Sequence, residues 1–95
     1  MNRPTAIQLH VADNVATATT DADRGETVEV HGPCDAFRRV IAREPVPFGH
    51  KIALTAVASD APVVKYGEVI GSATRAIQPG DHVHVHNVVG NRGRT

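Results

Sequence analysis

Apolar and polar residues alternate at the start of the chain. In residues 5–11, Ile7, Leu9 and Val11 are separated by polar side chains. A period of two is typical of a strand that is buried on one face, because successive side chains point to opposite faces. We therefore predict a strand here, with these three apolar side chains in the core.

Similar short segments recur along the chain, separated by turn-forming residues. Residues 78–81, Gln-Pro-Gly-Asp, are typical of a β-turn because proline is the second residue. Short strands with a turn roughly every 8–12 residues indicate a small all-β fold, either a sandwich or a barrel. No internal repeat is evident in the sequence. Further strands are predicted at residues 15–19, 27–31, 37–42, 50–54, 63–66 and 82–88.

The composition argues against several classes of protein. Ten lysines and arginines balance ten aspartates and glutamates, so no charge excess would attract nucleic acid or an anionic membrane. No apolar run approaches the roughly 20 residues that cross a bilayer, and no signal-peptide core follows the first residues. Cys34 is the single cysteine, which rules out an intrachain disulfide. We expect a cytoplasmic protein.

A length of 95 residues predicts one compact domain. We expect an ordered core at about residues 5–89 and a flexible tail at residues 90–95. A chain of this size has one small core and little room for an enclosed active site of its own. Exposed edges of small sheets often pair, which is compatible with a homo-oligomer.

The segment His-Val-His-Val-His at residues 82–86 carries the strongest chemical signal. As one strand, it would place His82, His84 and His86 on one face and the intervening valines in the core. At about 3.3 Å per residue, the outer two histidines would lie about 13 Å apart, too far to share an ion easily. His84 and His86 can converge on one transition metal or move protons. A solvated face of an edge strand is the alternative interpretation.

Two further segments contain residues suited to binding an acid. His50 and Lys51 follow a constrained Pro-Phe-Gly loop, where a lysine can bind a carboxylate. Lys65, Tyr66 and Glu68 surround a glycine between two strand-like segments. Exposed charges on turns, and a core ring for Tyr66, are the structural alternatives.

Taken in order, four motifs resemble one known family. The resemblance covers most of the chain, from about residue 9 to residue 88. The motifs are Asp13-Asn14-Val15, Pro-Phe-Gly-His-Lys-Ile-Ala-Leu at 47–54, Val-Lys-Tyr-Gly-Glu-Val-Ile-Gly at 64–71, and Gly-Asp-His-Val-His-Val-His-Asn at 80–87. In this order they resemble the SAF domain of the altronate and galactarate dehydratases, and equally the small subunit of sulfolactate sulfo-lyase.

This resemblance implies a β-clip fold of short, bent strands and a lyase reaction. The reaction would eliminate water or sulfite from a sugar acid or 2-hydroxy acid, using a divalent metal, often iron (Fe2+), shared with a large subunit. Because the fused dehydratases continue well beyond Asn87, we expect this chain to be a small subunit that is inactive without its partner. The implied roles are catalytic for His50, Lys51, His84 and His86, metal-binding for His84 and His86, and substrate-binding for Lys65, Tyr66, Glu68 and Asn87.

Two other functions are compatible with the same residues. SAF domains also occur as non-catalytic modules, so the chain can be a binding module for a carbohydrate or an acid. A metal carrier or a purely structural protein is the third alternative. A neighbouring gene for the large dehydratase region would favour the subunit.

Overall fold

The computed structural model describes residues 3–90, which form short strands and one 3-10 turn at Pro33–Asp35. Within this range no helix is long and apolar enough to cross a membrane. The all-β prediction is confirmed. Of the predicted flexible tail, Gly90 lies at the end of a strand and residues 91–95 lie outside the described range. The strands are β1 Thr5–Ile7, β2 Val15–Ala18, β3 Thr27–His31, β4 Phe37–Ile41, β5 Lys51–Ala53, β6 Pro62–Lys65, β7 Glu68–Ala73, β8 His82–Val83 and β9 Val88–Gly90.

The strands form two sheets. A six-stranded sheet has the order β4-β3-β1-β2-β5-β8, and a three-stranded sheet has the order β6-β7-β9. The pairing of β1 with β3 is parallel, and the other pairings are antiparallel. Two clusters of small aliphatic side chains form the core, one around Ile52 and the other around Ile77. The abundance of alanine and valine fits strands that pack closely.

Four turns in the structure share one backbone geometry, at residues 23–26, 47–50, 58–61 and 78–81. In each, the fourth N–H donates to the first carbonyl, and the third residue has a positive φ of 69° to 90°. Each turn also exchanges two backbone hydrogen bonds with an alanine that lies in a strand or, for Ala42, directly after one. This recurrence is one of backbone geometry, and the residue types in the four turns differ from one turn to the next. The four alanines, in the order of their turns, are Ala42, Ala18, Ala73 and Ala53.

The predicted orientation of the first strand is also wrong. Ile7 is 41% exposed and Val11 is 72% exposed, whereas Ala6 and Gln8 are buried. Gln8 tolerates burial because its Nε2 donates to the carbonyl of Asp13 at 3.1 Å. The strand ends at Ile7, so Leu9 and Val11 are not held on its face.

The histidine segment does not form the single strand predicted at residues 82–88. Only β8 pairs with β5, and the chain then turns at residues 84–87 before β9 joins the other sheet. Val83 is buried as predicted, but Val85 is 82% exposed and does not enter the core. We call residues 84–87 the histidine turn.

Candidate metal and substrate site

The β5–β8 pairing brings together histidines that lie far apart in the sequence. His50 is the last residue of the turn at 47–50, and the chain continues directly into β5. Antiparallel pairing sets Ile52 opposite His82, so His50 and His82 project from neighbouring strands. Their Nδ1 and Nε2 atoms lie 2.8 Å apart, a hydrogen-bond distance. The glycine turn and the strand register therefore assemble the site.

Four imidazoles contact one another in what we call the histidine cluster, in which His50, His82 and His84 stack and His86 is tilted against His82. The ring centroids of His50 and His84 are 4.3 Å apart, and those of His82 and His86 are 5.1 Å apart. The first three histidines place one ligand atom each within 4.8 Å of the others, as do Glu44, His82 and His86. We call these the all-histidine group and the Glu44 group. Both are suited to a transition metal.

The predicted 13 Å between the outer histidines does not hold, because the chain turns. His82 and His86 come into ring contact, and His82 becomes the central residue of the cluster. His84 and His86, predicted to share a metal, fall into different groups.

Asn87 closes the histidine turn from inside the fold. It is 2% exposed, and its Nδ2 donates to the carbonyl of His82 at 2.9 Å. Its Oδ1 accepts the backbone N–H of His84 at 2.9 Å. The amide that was predicted to orient substrate is thus occupied in holding the two histidines.

Burial and like charges favour the neutral imidazole at His82 and at His84. Burial lowers the pKa of His82, and the neighbouring His86 and His50 lower it further, while Glu44 opposes them. The pKa of His84 is also lowered, by desolvation and by His50 and Lys51. A neutral imidazole has a free lone pair, which is the form that binds a metal.

Lys51 lies beside the cluster and begins β5. Its pKa is lowered by burial and by the nearby charge of Lys65. Lys51 and His84 line a groove of about 240 Å³ whose other walls are mainly apolar. Lys51 places positive charge next to His84, where an anionic group would be favoured. The remaining residues along the groove are Ile70, Val83, Val85, Val88 and Gly90.

The hairpin between β6 and β7 carries the other predicted substrate residues. Tyr66 is 67% exposed, so it is not a core ring, and Glu68 is exposed as well. None of Lys65, Tyr66 and Glu68 lines the groove. Asp13 fixes the hairpin, because its Oδ1 accepts the backbone N–H of Gly67 at 2.8 Å.

Two residues of the candidate site were missed in the sequence. His82 was set aside because an extended strand would have carried it away from His86, although it belongs to the same motif. Glu44 gives no signal in the sequence, since it lies in the loop between β4 and β5, and only the tertiary structure brings it to His82.

The fold and the site define a class: small all-β domains that display a histidine cluster at the surface. This chain belongs to the altronate/galactarate dehydratase SAF domain family, whose family model matches residues 4–91. It is 44% identical over 81 residues to altronate dehydratase of Escherichia coli K12, which covers 85% of this chain. It is 38% identical over 88 residues to galactarate dehydratase (L-threo-forming) of the same strain, which covers 90% of this chain.

This chain is also similar to a subunit of an enzyme that is named a sulfo-lyase and not a dehydratase. The chain is 46% identical over 46 residues to (2R)-sulfolactate sulfo-lyase subunit alpha of Chromohalobacter salexigens, covering 48% of this chain and 49% of that subunit. The chain spans only 15% of the length of altronate dehydratase and 16% of galactarate dehydratase. The similarity to the dehydratases therefore concerns one domain of much larger proteins.

Proposed function

We propose that this chain is the small subunit, or a separate SAF domain, of a cytoplasmic lyase that eliminates water or sulfite from a sugar acid or 2-hydroxy acid. The observation that carries the proposal is the all-histidine group, in which two distant segments converge with their ligand atoms within 4.8 Å. The names of the similar dehydratases and of the sulfo-lyase subunit support the type of reaction.

The donor set suits a divalent transition metal, for which we propose Fe2+. His50, His82 and His84 would hold it, since all three are partly buried and their ring nitrogens converge. When bound, a divalent ion supplies Lewis-acid stabilisation of the negative charge that develops on the substrate carboxylate.

The other residues bind the substrate and move protons. Lys51 and Lys65 attract the carboxylate, because both charges favour an anion between them. His86 is exposed at the rim of the cluster and transfers the proton from the carbon next to the carboxylate. Tyr66 and Glu68 contact the polar end of the acid from the hairpin, and Asn87 acts through the histidine turn rather than on the substrate.

A larger partner would complete the site. The groove beside the cluster is open, and Val85 stands 82% exposed between His84 and His86. Together with the mainly apolar walls of the groove, the exposed Val85 side chain forms an apolar surface that a partner could cover. The similar dehydratases contain far more chain than this domain, and the sulfo-lyase relative is named as a subunit.

The test is elimination by this chain when it is co-expressed with the product of the gene that neighbours its own. Altronate, galactarate and sulfolactate are the substrates to assay. We expect His82→Ala to lower the rate about 10²-fold or more, because the central imidazole supports charge stabilisation. His31→Ala, at an exposed histidine outside the cluster, is the matched control.

Two results would contradict the proposal. Full activity in both His82→Ala and His84→Ala would remove the cluster from the reaction. A complex that binds the acids but eliminates nothing from any of them would instead favour the non-catalytic binding module.

A further inference from the structure

Glu44 is a partly buried carboxylate without a basic partner in the part of the chain that the structure describes. Its neighbour Arg43 pairs instead with Asp81, at 3.6 Å. Glu44 Oε2 accepts the backbone N–H of His82 at 3.1 Å. No lysine or arginine within residues 3–90 forms an ion pair with Glu44. A cation bound here would balance this charge.

The nearest side chains complete a set of metal ligands. One oxygen of Glu44 and one ring nitrogen each of His82 and His86 lie within 4.8 Å of one another. Two imidazoles and one carboxylate are the donor set of many non-haem Fe2+ centres, which leave other coordination positions open. Imidazoles suit Zn2+, Cu2+, Fe2+ and Ni2+, whereas a carboxylate is a harder ligand that also suits Mn2+.

His82 lies at the junction of the two groups. Its ring centroid is 5.0 Å from that of His50 and 5.1 Å from that of His86. Its Nε2 faces His50. An imidazole has a second ring nitrogen, which makes His82 suited to serve either group.

We propose that the Glu44 group is a second metal position that shares His82 with the all-histidine group and is the position that takes up Mn2+. Glu44 is then the residue through which the cluster takes up Mn2+, and His86 transfers the substrate proton only when this second position is empty. The inference rests on the proposed function for the role of the metal in elimination. Metal selectivity itself is a property of this chain and is measured without a partner or substrate.

The experiment titrates the purified full chain separately with Mn2+ and with Zn2+. Glu44→Gln is expected to weaken Mn2+ binding about 10-fold or more and to change Zn2+ binding less than about 2-fold. His50→Gln is expected to do the reverse, and His82→Gln to weaken both. Glu26→Gln, at an exposed glutamate in the turn at 23–26, is the control for loss of a carboxylate.

A second variant separates ligation from folding, because Glu44 also accepts a backbone N–H. His86→Gln alters an exposed side chain of the same group and is expected to weaken Mn2+ selectively as well. Equal weakening of both metals in Glu44→Gln, or unchanged Mn2+ binding in His86→Gln, would overturn the inference. Selective Mn2+ binding in a chain whose complex eliminates nothing would contradict the proposed function alone.

Discussion

The turns at 47–50 and 78–81 have the same backbone as the turns at 23–26 and 58–61, yet only the first pair leads into histidines. His50 ends one of them, and His82 follows the other. In the second pair, the residues that correspond to His50 are Glu26 and Ala61, and those that correspond to His82 are Thr27 and Pro62. All four turns dock on a buried alanine through the same two hydrogen bonds. All four turns therefore hold distant parts of the fold together, and two of them also supply histidines to the candidate site.

The largest effect is expected where a turn glycine is both left-handed and crowded. Gly80 and Gly25 have φ values of 90° and 89°, but a Cβ on Gly80 would collide with the carbonyl oxygen of Ile41, whereas a Cβ on Gly25 meets nothing. Gly25→Ala should cost about 1–2 kcal/mol of unfolding free energy, from backbone conformation alone. Gly80→Ala should cost about 2 kcal/mol more, from steric overlap. Urea denaturation measures both, and equal losses would show that the collision is relieved without cost.

A smaller effect is expected from the amide that holds the histidine turn. Asn87→Ala removes two side-chain hydrogen bonds and leaves the carbonyl of His82 and the N–H of His84 without these partners. We expect a loss of about 2–3 kcal/mol in unfolding free energy, and weaker Zn2+ binding as well. Asn14→Ala, which removes two side-chain hydrogen bonds at the hairpin, is the control. It should leave Zn2+ binding unchanged, and equal weakening in both variants would argue against a local role for Asn87.

The smallest effect is a dependence of stability on pH. The folded-state pKa of His82 lies below its ordinary value of 6.5, mainly because of burial, so the unfolded chain binds the proton more tightly. Stability of the metal-free chain should therefore be full above pH 6.5 and fall as the pH drops below it. Thermal unfolding at pH 7.5, 6.5 and 5.5 with a chelator measures this, and His82→Gln should flatten the trend. A melting temperature that rises on acidification would contradict it.

Local patterns in the sequence correctly predicted the elements in which the apolar side chains are the buried ones. Val28 and Val30 are buried and alternate along β3 as expected, and the turn at 78–81 forms with Pro79 in second place. The first strand was inverted because Gln8 finds a hydrogen-bond partner inside the fold. The alternation of apolar and polar residues shows which side chains are polar, but it does not show whether a polar side chain finds a hydrogen-bond partner when it is buried.

The candidate site was only partly predictable for a related reason. The histidines could be recognised by type, but their arrangement depends on the buried side chain of Asn87 and on pairing between β5 and β8. Neither of these interactions produces a periodic pattern in the sequence. His50 and His82 meet across 31 intervening residues, and Glu44 reaches His82 from yet another loop. Long-range pairing of this kind is decided by the whole fold.

The docking of the turns on distant alanines also bears on how the chain folds. The turn at 47–50 is hydrogen-bonded to Ala18, and the turn at 78–81 is hydrogen-bonded to Ala53. These hydrogen bonds can form only after a long loop of the chain has closed. Contacts so distant in sequence slow folding, because chain entropy is lost before they form. His50 belongs to one of these turns and His82 follows the other, so the histidine cluster assembles only when both turns are in place. During refolding, metal should therefore bind only when the fold is complete, which is later than the time at which the first strands form.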